Sequence, residues 1–144
     1  YGYLKTKSQD SVLLETFPVE QSEWNKPELD ALFDKILVVR SEAQKKLEVL
    51  RTEKIIGASL EAQLEIKANG EILKALKTFN ESHAKCNLRE FFIVSGVKLS
   101  EGELSVTATK APGEKCVRCW TYSESISTHA VTAGVCPKCV EALT

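Results

Sequence analysis

The strongest constraint on how this chain folds is a pair of Cys-x-x-Cys turns, Cys116-Val-Arg-Cys119 and Cys136-Pro-Lys-Cys139, sixteen residues apart. Two residues between cysteines let both sulfurs of a tight turn reach one ion, and a second turn at this distance returns to complete a tetrahedron. Four protein ligands leave no open position, so the expected Zn2+ holds structure and does not activate water. Two disulfides use the same residues, but adjacent Cys-x-x-Cys turns beside an odd fifth cysteine, Cys86, fit a reducing compartment better. A rubredoxin-like iron centre shares the ligand pattern. His83 and His129 are left out because the tetrahedron is already full, with His129 on the hairpin between the turns. Cys86 reads as a buried or partly buried free thiol.

The 144 residues lack methionine and begin at a tyrosine, which reads as a piece of a longer protein. No apolar run approaches the length of a membrane span. A net charge of −1 gives no long-range attraction for nucleic acid, so any such binding depends on a local patch.

Residues 1–23 read as an extended connector that packs on something else, with Val12, Leu13, Leu14 and Phe17 among polar residues. Residues 24–57 read as a long helix. Asn25 and Glu28 match a capping box, Pro27 suits the first turn, and Gly57 marks the end. Leu29, Leu32, Phe33, Ile36, Val39, Ala43, Leu47 and Leu50 follow the spacing of one helical face. A lone helix cannot bury such a stripe, so it belongs to a bundle, or else packs on the domain that follows.

Residues 58–112 read as a small mixed module of strand, helix, strand and strand. Ser59 to Lys67 alternates with Leu60, Ala62, Leu64 and Ile66 inward, and Asn69-Gly70 turns. A helix then runs from Glu71 to Phe79, and further strands cover Phe91 to Val97 and the stretch around Leu104, Val106 and Ala108. Ala111-Pro112-Gly113 breaks regular structure before the metal-binding module of residues 113–144, which is too short for a core without its ion. The expected fold class is therefore α+β: a long amphipathic helix, a small mixed module and a four-cysteine zinc ribbon.

Taken together, these features resemble the C-terminal end of bacterial-type isoleucyl-tRNA synthetases. The matching text is Asp10-Ser-Val-Leu-Leu-Glu-Thr-Phe-Pro18, then Arg40, then Lys46-Leu-Glu-Val-Leu-Arg-Thr-Glu-Lys-Ile-Ile-Gly-Ala-Ser-Leu-Glu-Ala62. The tail adds Ala111-Pro-Gly-Glu-Lys-Cys-Val-Arg-Cys-Trp120 and Val135-Cys-Pro-Lys-Cys-Val140. One departure is Leu13, where the family connector usually carries histidine. The nucleotide-binding signatures of class I synthetases and an editing domain are absent from this sequence. The resemblance thus implies an isoleucine-tRNA ligase whose ATP and isoleucine bind elsewhere, and a non-catalytic section devoted to the anticodon region of its tRNA. It further implies a monomer in the cytoplasm or an organelle matrix, with no membrane partner.

On that reading Lys115, Arg118, Trp120 and Lys138 are the expected RNA contacts, because metal-fixed turns carry them and an indole can stack on a base. The structural alternatives are that the basic residues offset thiolate charge and that Trp120 forms the small core of the module. Two further readings are a DNA-binding module of the formamidopyrimidine-DNA glycosylase type, which shares only the cysteine turns, and a purely structural ribbon.

Overall fold

The computed structural model describes residues 9–82, 87–129 and 131–143. His83 and Cys86 lie outside these residues. The chain opens with two single 3-10 turns, Val12–Leu14 and Ser22–Trp24, in a segment whose Leu13 and Phe17 are almost fully exposed.

Helix α1 spans Pro27–Thr52. Pro27 occupies its first turn with Glu28 and Asp30, and Arg51 sits in the last, a charge order that complements the helix dipole. The expected Asn25 cap is corrected to Lys26, which offers no side-chain cap. Asn25 is instead consumed by the preceding turn, its N–H donating to the Ser22 carbonyl. The helix also ends five residues before Gly57. Lys54 adopts the left-handed conformation there (φ 59°), which lets the Ile55 and Ile56 N–H groups fold back onto the Leu50 carbonyl. Burial of Ile56 supplies the apolar contact that accompanies such a stop.

Strand β1 (Ala62–Ala68) is the centre of a three-stranded sheet ordered β2-β1-β3, with β2 (Gly96–Glu101) parallel and β3 (Ser105–Lys110) antiparallel to it. Ala62, Leu64, Ile66 and Ala68 face inward, as the alternation requires, while Ser59–Glu61 forms a 3-10 turn ahead of the strand. Helix α2 (Gly70–Ser82) buries Leu73, Leu76 and Phe79. A parallel neighbour needs a crossover, and α2 with helix α3 (Leu88–Phe92) provides it.

Helix α3 corrects the strand expected at Phe91–Val97. A full capping box at its start, with Asn87 accepting from the Arg89 N–H and Glu90 accepting from the Asn87 N–H, commits residues 88–92 to a helical turn. Leu88 and Phe92, four apart, share its buried face, and Ile93 ends it in the left-handed region (φ 57°). The apolar run there is a helix face followed by a turn, and the strand starts only at Gly96. In β3, Val106 is buried and Ala108 half-buried, whereas Leu104 precedes the strand.

The buried stripe of α1 (Ile36, Val39, Ala43, Leu47, Leu50) joins β1, α2, α3 and Val106 in one core, and α1 packs on β3 and α2. The boundary drawn near residue 57 therefore separates elements that share one hydrophobic interior. Phe33, Phe79 and Phe91 meet edge to face or tilted at centroid distances of 5.2–6.1 Å, with the Arg40 guanidinium 5.1 Å over Phe91. The outer face of α1 keeps Leu37, Val38 and Val49 exposed. No helix among the described residues is long and apolar enough to cross a membrane.

Candidate metal centre

Past Ala111 the chain forms a second, smaller unit. Strands β4 (Glu114–Lys115) and β5 (Tyr122–Ser123) pair around the first cysteine turn. The turn closes through the Cys116 N–H on the Thr121 carbonyl (2.8 Å) and the Trp120 N–H on the Cys116 carbonyl (2.9 Å). Gly113 enters this hairpin at φ +85°, where an added Cβ would lie 2.2 Å from the Ser123 carbonyl oxygen, so only glycine fits. The second turn runs into helix α4 (Pro137–Glu141), with Cys136 at its cap and Pro137 in its first turn. The Val117 N–H reaches the Gly134 carbonyl (3.0 Å) and draws the two turns together.

The four sulfurs of Cys116, Cys119, Cys136 and Cys139 lie within 4.8 Å of one another, and all but Cys119 are buried. Zinc–sulfur bonds of about 2.3 Å at tetrahedral angles place sulfurs roughly 3.8 Å apart. The 3.6 Å between Cys119 and Cys136 suits that geometry and is far beyond the ~2.05 Å of a disulfide. The donor set therefore fits a single structural Zn2+ with no vacant position. Among the described residues this small core otherwise holds only Val135 and half-buried Ile126 and Val140, so the ion must supply what apolar burial cannot.

The surroundings favour thiolate charge at Cys116 and Cys119 and oppose it at Cys139. Burial pushes the Cys116 thiol up, but backbone N–H groups of Cys119, Cys136 and Arg118 outweigh it and hold it at about 6. Burial with neighbouring thiols pushes Cys139 up to about 11, against the Arg118 guanidinium 3.6 Å from its sulfur. Burial raises Cys119 too, but contact with Thr121, whose Oγ1 lies 3.0 Å from the sulfur, brings it below the ordinary thiol range.

The remaining expected site residues divide into two pairs. Arg118 spends its guanidinium on Cys139, and Lys138 reaches away from the metal to form an ion pair with Glu90 of α3. Trp120 is 61% exposed, in the left-handed conformation (φ 67°), with the Lys115 ammonium 5.5 Å over its ring. It is therefore no part of the module's core. His129 is exposed on the loop between the turns and is absent from the sulfur cluster. Sequence reasoning missed Glu90 and Ser95. The first was legible as the partner of Asn87 in a capping box; nothing around the second marked it.

Comparison with known proteins agrees with this geometry. Residues 113–142 match the family described as "Zinc finger found in FPG and IleRS". Curated relatives extend the match through the rest of the chain. An isoleucine–tRNA ligase of Thermoanaerobacter sp. (strain X514) is 36% identical over 96% of the chain, and one of Geobacter sulfurreducens 35% over 99%. A third, from Thermotoga petrophila, is 38% identical over 99%. The chain spans 16% of the length of each of these relatives. The chain is thus homologous to one section of isoleucine–tRNA ligases, a section that includes the zinc finger.

Proposed function

We propose that this chain is the tRNA-binding section of an isoleucine–tRNA ligase, with the zinc module presenting Trp120 to the anticodon region of the RNA. The observation that carries this reading is the exposed indole fixed directly after a metal ligand, with a lysine ammonium across its face. A metal-held turn costs little further ordering when a base stacks, and a cation over the ring stands ready for the adjoining phosphate. Lys115 and Trp120 are the principal contacts. Arg118 and Lys138, already engaged with Cys139 and Glu90, act through the field they add at the same surface.

The intact ligase joins isoleucine to tRNA with ATP, and both small substrates bind outside this section. It works as a monomer in a reducing compartment, the cytoplasm in the simplest case. Outward apolar residues of the connector and of α1, including Phe17, Leu37 and Val38, meet the ligase's helical bundle. A glycosylase-type DNA reader is disfavoured because ligases match nearly the whole chain, whereas the shared finger covers only residues 113–142.

The test is binding of isoleucine tRNA to the zinc-loaded chain. Trp120→Ala should weaken it by about 1–3 kcal/mol, Trp120→Phe by less, and Lys115→Ala should also flatten the salt dependence. Unchanged affinity in folded, zinc-loaded Trp120→Ala would leave the module as a structural cap.

A further inference from the structure

The zinc module is joined to the sheet through Ala111-Pro112-Gly113, and the two units face each other across a cleft of about 540 Å³ lined by Leu60, Ile93, Val94, Tyr122 and Lys138. A single covalent tether would leave the smaller unit free to swing. Among the described residues, two polar side-chain ties restrict that freedom. One is the ion pair between Lys138 on α4 and Glu90 on α3. The other is Ser95, a residue 7% exposed between α3 and β2. Its hydroxyl donates to the Leu60 carbonyl (2.5 Å) ahead of β1 and accepts from the Tyr122 N–H (2.7 Å) in β5. Its own N–H holds the Ala62 carbonyl at 2.9 Å.

We propose that Ser95 is a positioning residue that sets the angle at which the zinc module is held against the sheet. A hydroxyl has one proton to give, and this one gives it to the sheet unit while its lone pair receives the zinc unit. The bridge is therefore directional at both ends. With the tether and the ion pair it makes three attachment points, enough to fix the orientation of a rigid body. The ion pair is largely solvent-exposed, and such pairs contribute little. The hydroxyl of this buried serine consequently dominates, because its loss removes the partner of the part-buried Leu60 carbonyl and of the part-buried Tyr122 N–H together. Trp120 stands two residues before Tyr122, so the same bridge sets where the indole points.

The test uses zinc-loaded chain and NMR measurement of alignment and tumbling for each unit. The parent gives one alignment tensor for both units. Ser95→Ala gives two, with unchanged zinc content, and Ser95→Thr, which keeps the hydroxyl, restores one. A single tensor in zinc-loaded Ser95→Ala overturns the proposal. If that variant fails to load zinc, Ser95→Cys, similar in size and a weak hydrogen-bonding partner, is read by the same criterion. The consequence for RNA rests on the tRNA-binding reading above: Ser95→Ala weakens tRNA binding about tenfold and Ser95→Thr does not. A Trp120→Ala variant with parental tRNA affinity defeats that reading alone, and the tensors still decide Ser95.

Discussion

Replacing Gly113 by alanine isolates the contribution of one backbone conformation to metal binding. At φ +85° an L-residue pays on the order of 1–2 kcal/mol for the left-handed region. The new Cβ would also stand 2.2 Å from the Ser123 carbonyl oxygen, 2.3 Å from its carbon and 2.6 Å from the Glu124 nitrogen. All three are backbone atoms of the segment that pairs with Glu114, so relief requires opening the short β4–β5 ladder. Losing about two such bonds at roughly 1 kcal/mol each brings the total to about 3–4 kcal/mol. Zinc sites of this kind bind with about 10–16 kcal/mol, so the metal should stay bound but more weakly. Since folding of the module and binding of its ion are linked, the strain should appear as a zinc affinity lower by on the order of 100- to 1000-fold. Chelator competition at fixed pH measures it directly. Gly134→Ala is the matched control. It too has positive φ (+78°), but its Cβ would meet only side-chain atoms of Val117, at 3.2 Å or more, so a loss of about tenfold is expected. Equal losses in the two variants, or Gly113→Ala within twofold of the parent, would refute the argument that backbone overlap decides.

Cys116→Ser should abolish stoichiometric zinc and unfold residues after Ala111 while the three-stranded sheet keeps its amide protection, as hydrogen exchange would reveal. Ile66→Ala, at a fully buried position of the central strand, should cost about 2–5 kcal/mol in urea unfolding without changing zinc stoichiometry. Removing the α3 cap with Asn87→Ala should cost about 0.5–2 kcal/mol by the same assay. Zinc affinity should fall as pH falls from 8 to 6. The metal-free Cys139 thiol, pushed up to about 11, must shed its proton throughout that range, which alone gives about tenfold per pH unit in a chelator titration.

What the sequence determined by itself was everything fixed by local spacing. Two cysteine turns define a closed tetrahedral site wherever they fold, because ligand number and geometry belong to the ion. The alternation from Ala62 to Ala68 and the stripe from Ile36 to Leu50 name their buried faces for the same reason: one side-chain period per type of backbone. The match to isoleucine–tRNA ligases was likewise carried by short runs of text. Only the tertiary structure decided which surfaces those faces meet. The α1 stripe states that it must be buried but not against what, and it closes over β3 and α2. The Phe91-Phe92-Ile93-Val94 run looks like a strand until the Asn87–Glu90 box and the left-handed Ile93 turn it into a helix end. Trp120 and Lys138 carry no local mark of exposure or partnership. Lys115 of the same hairpin settles the first by lying over one indole face, and a glutamate 48 residues away settles the second, a long-range pairing set by how units pack, which no window of sequence contains.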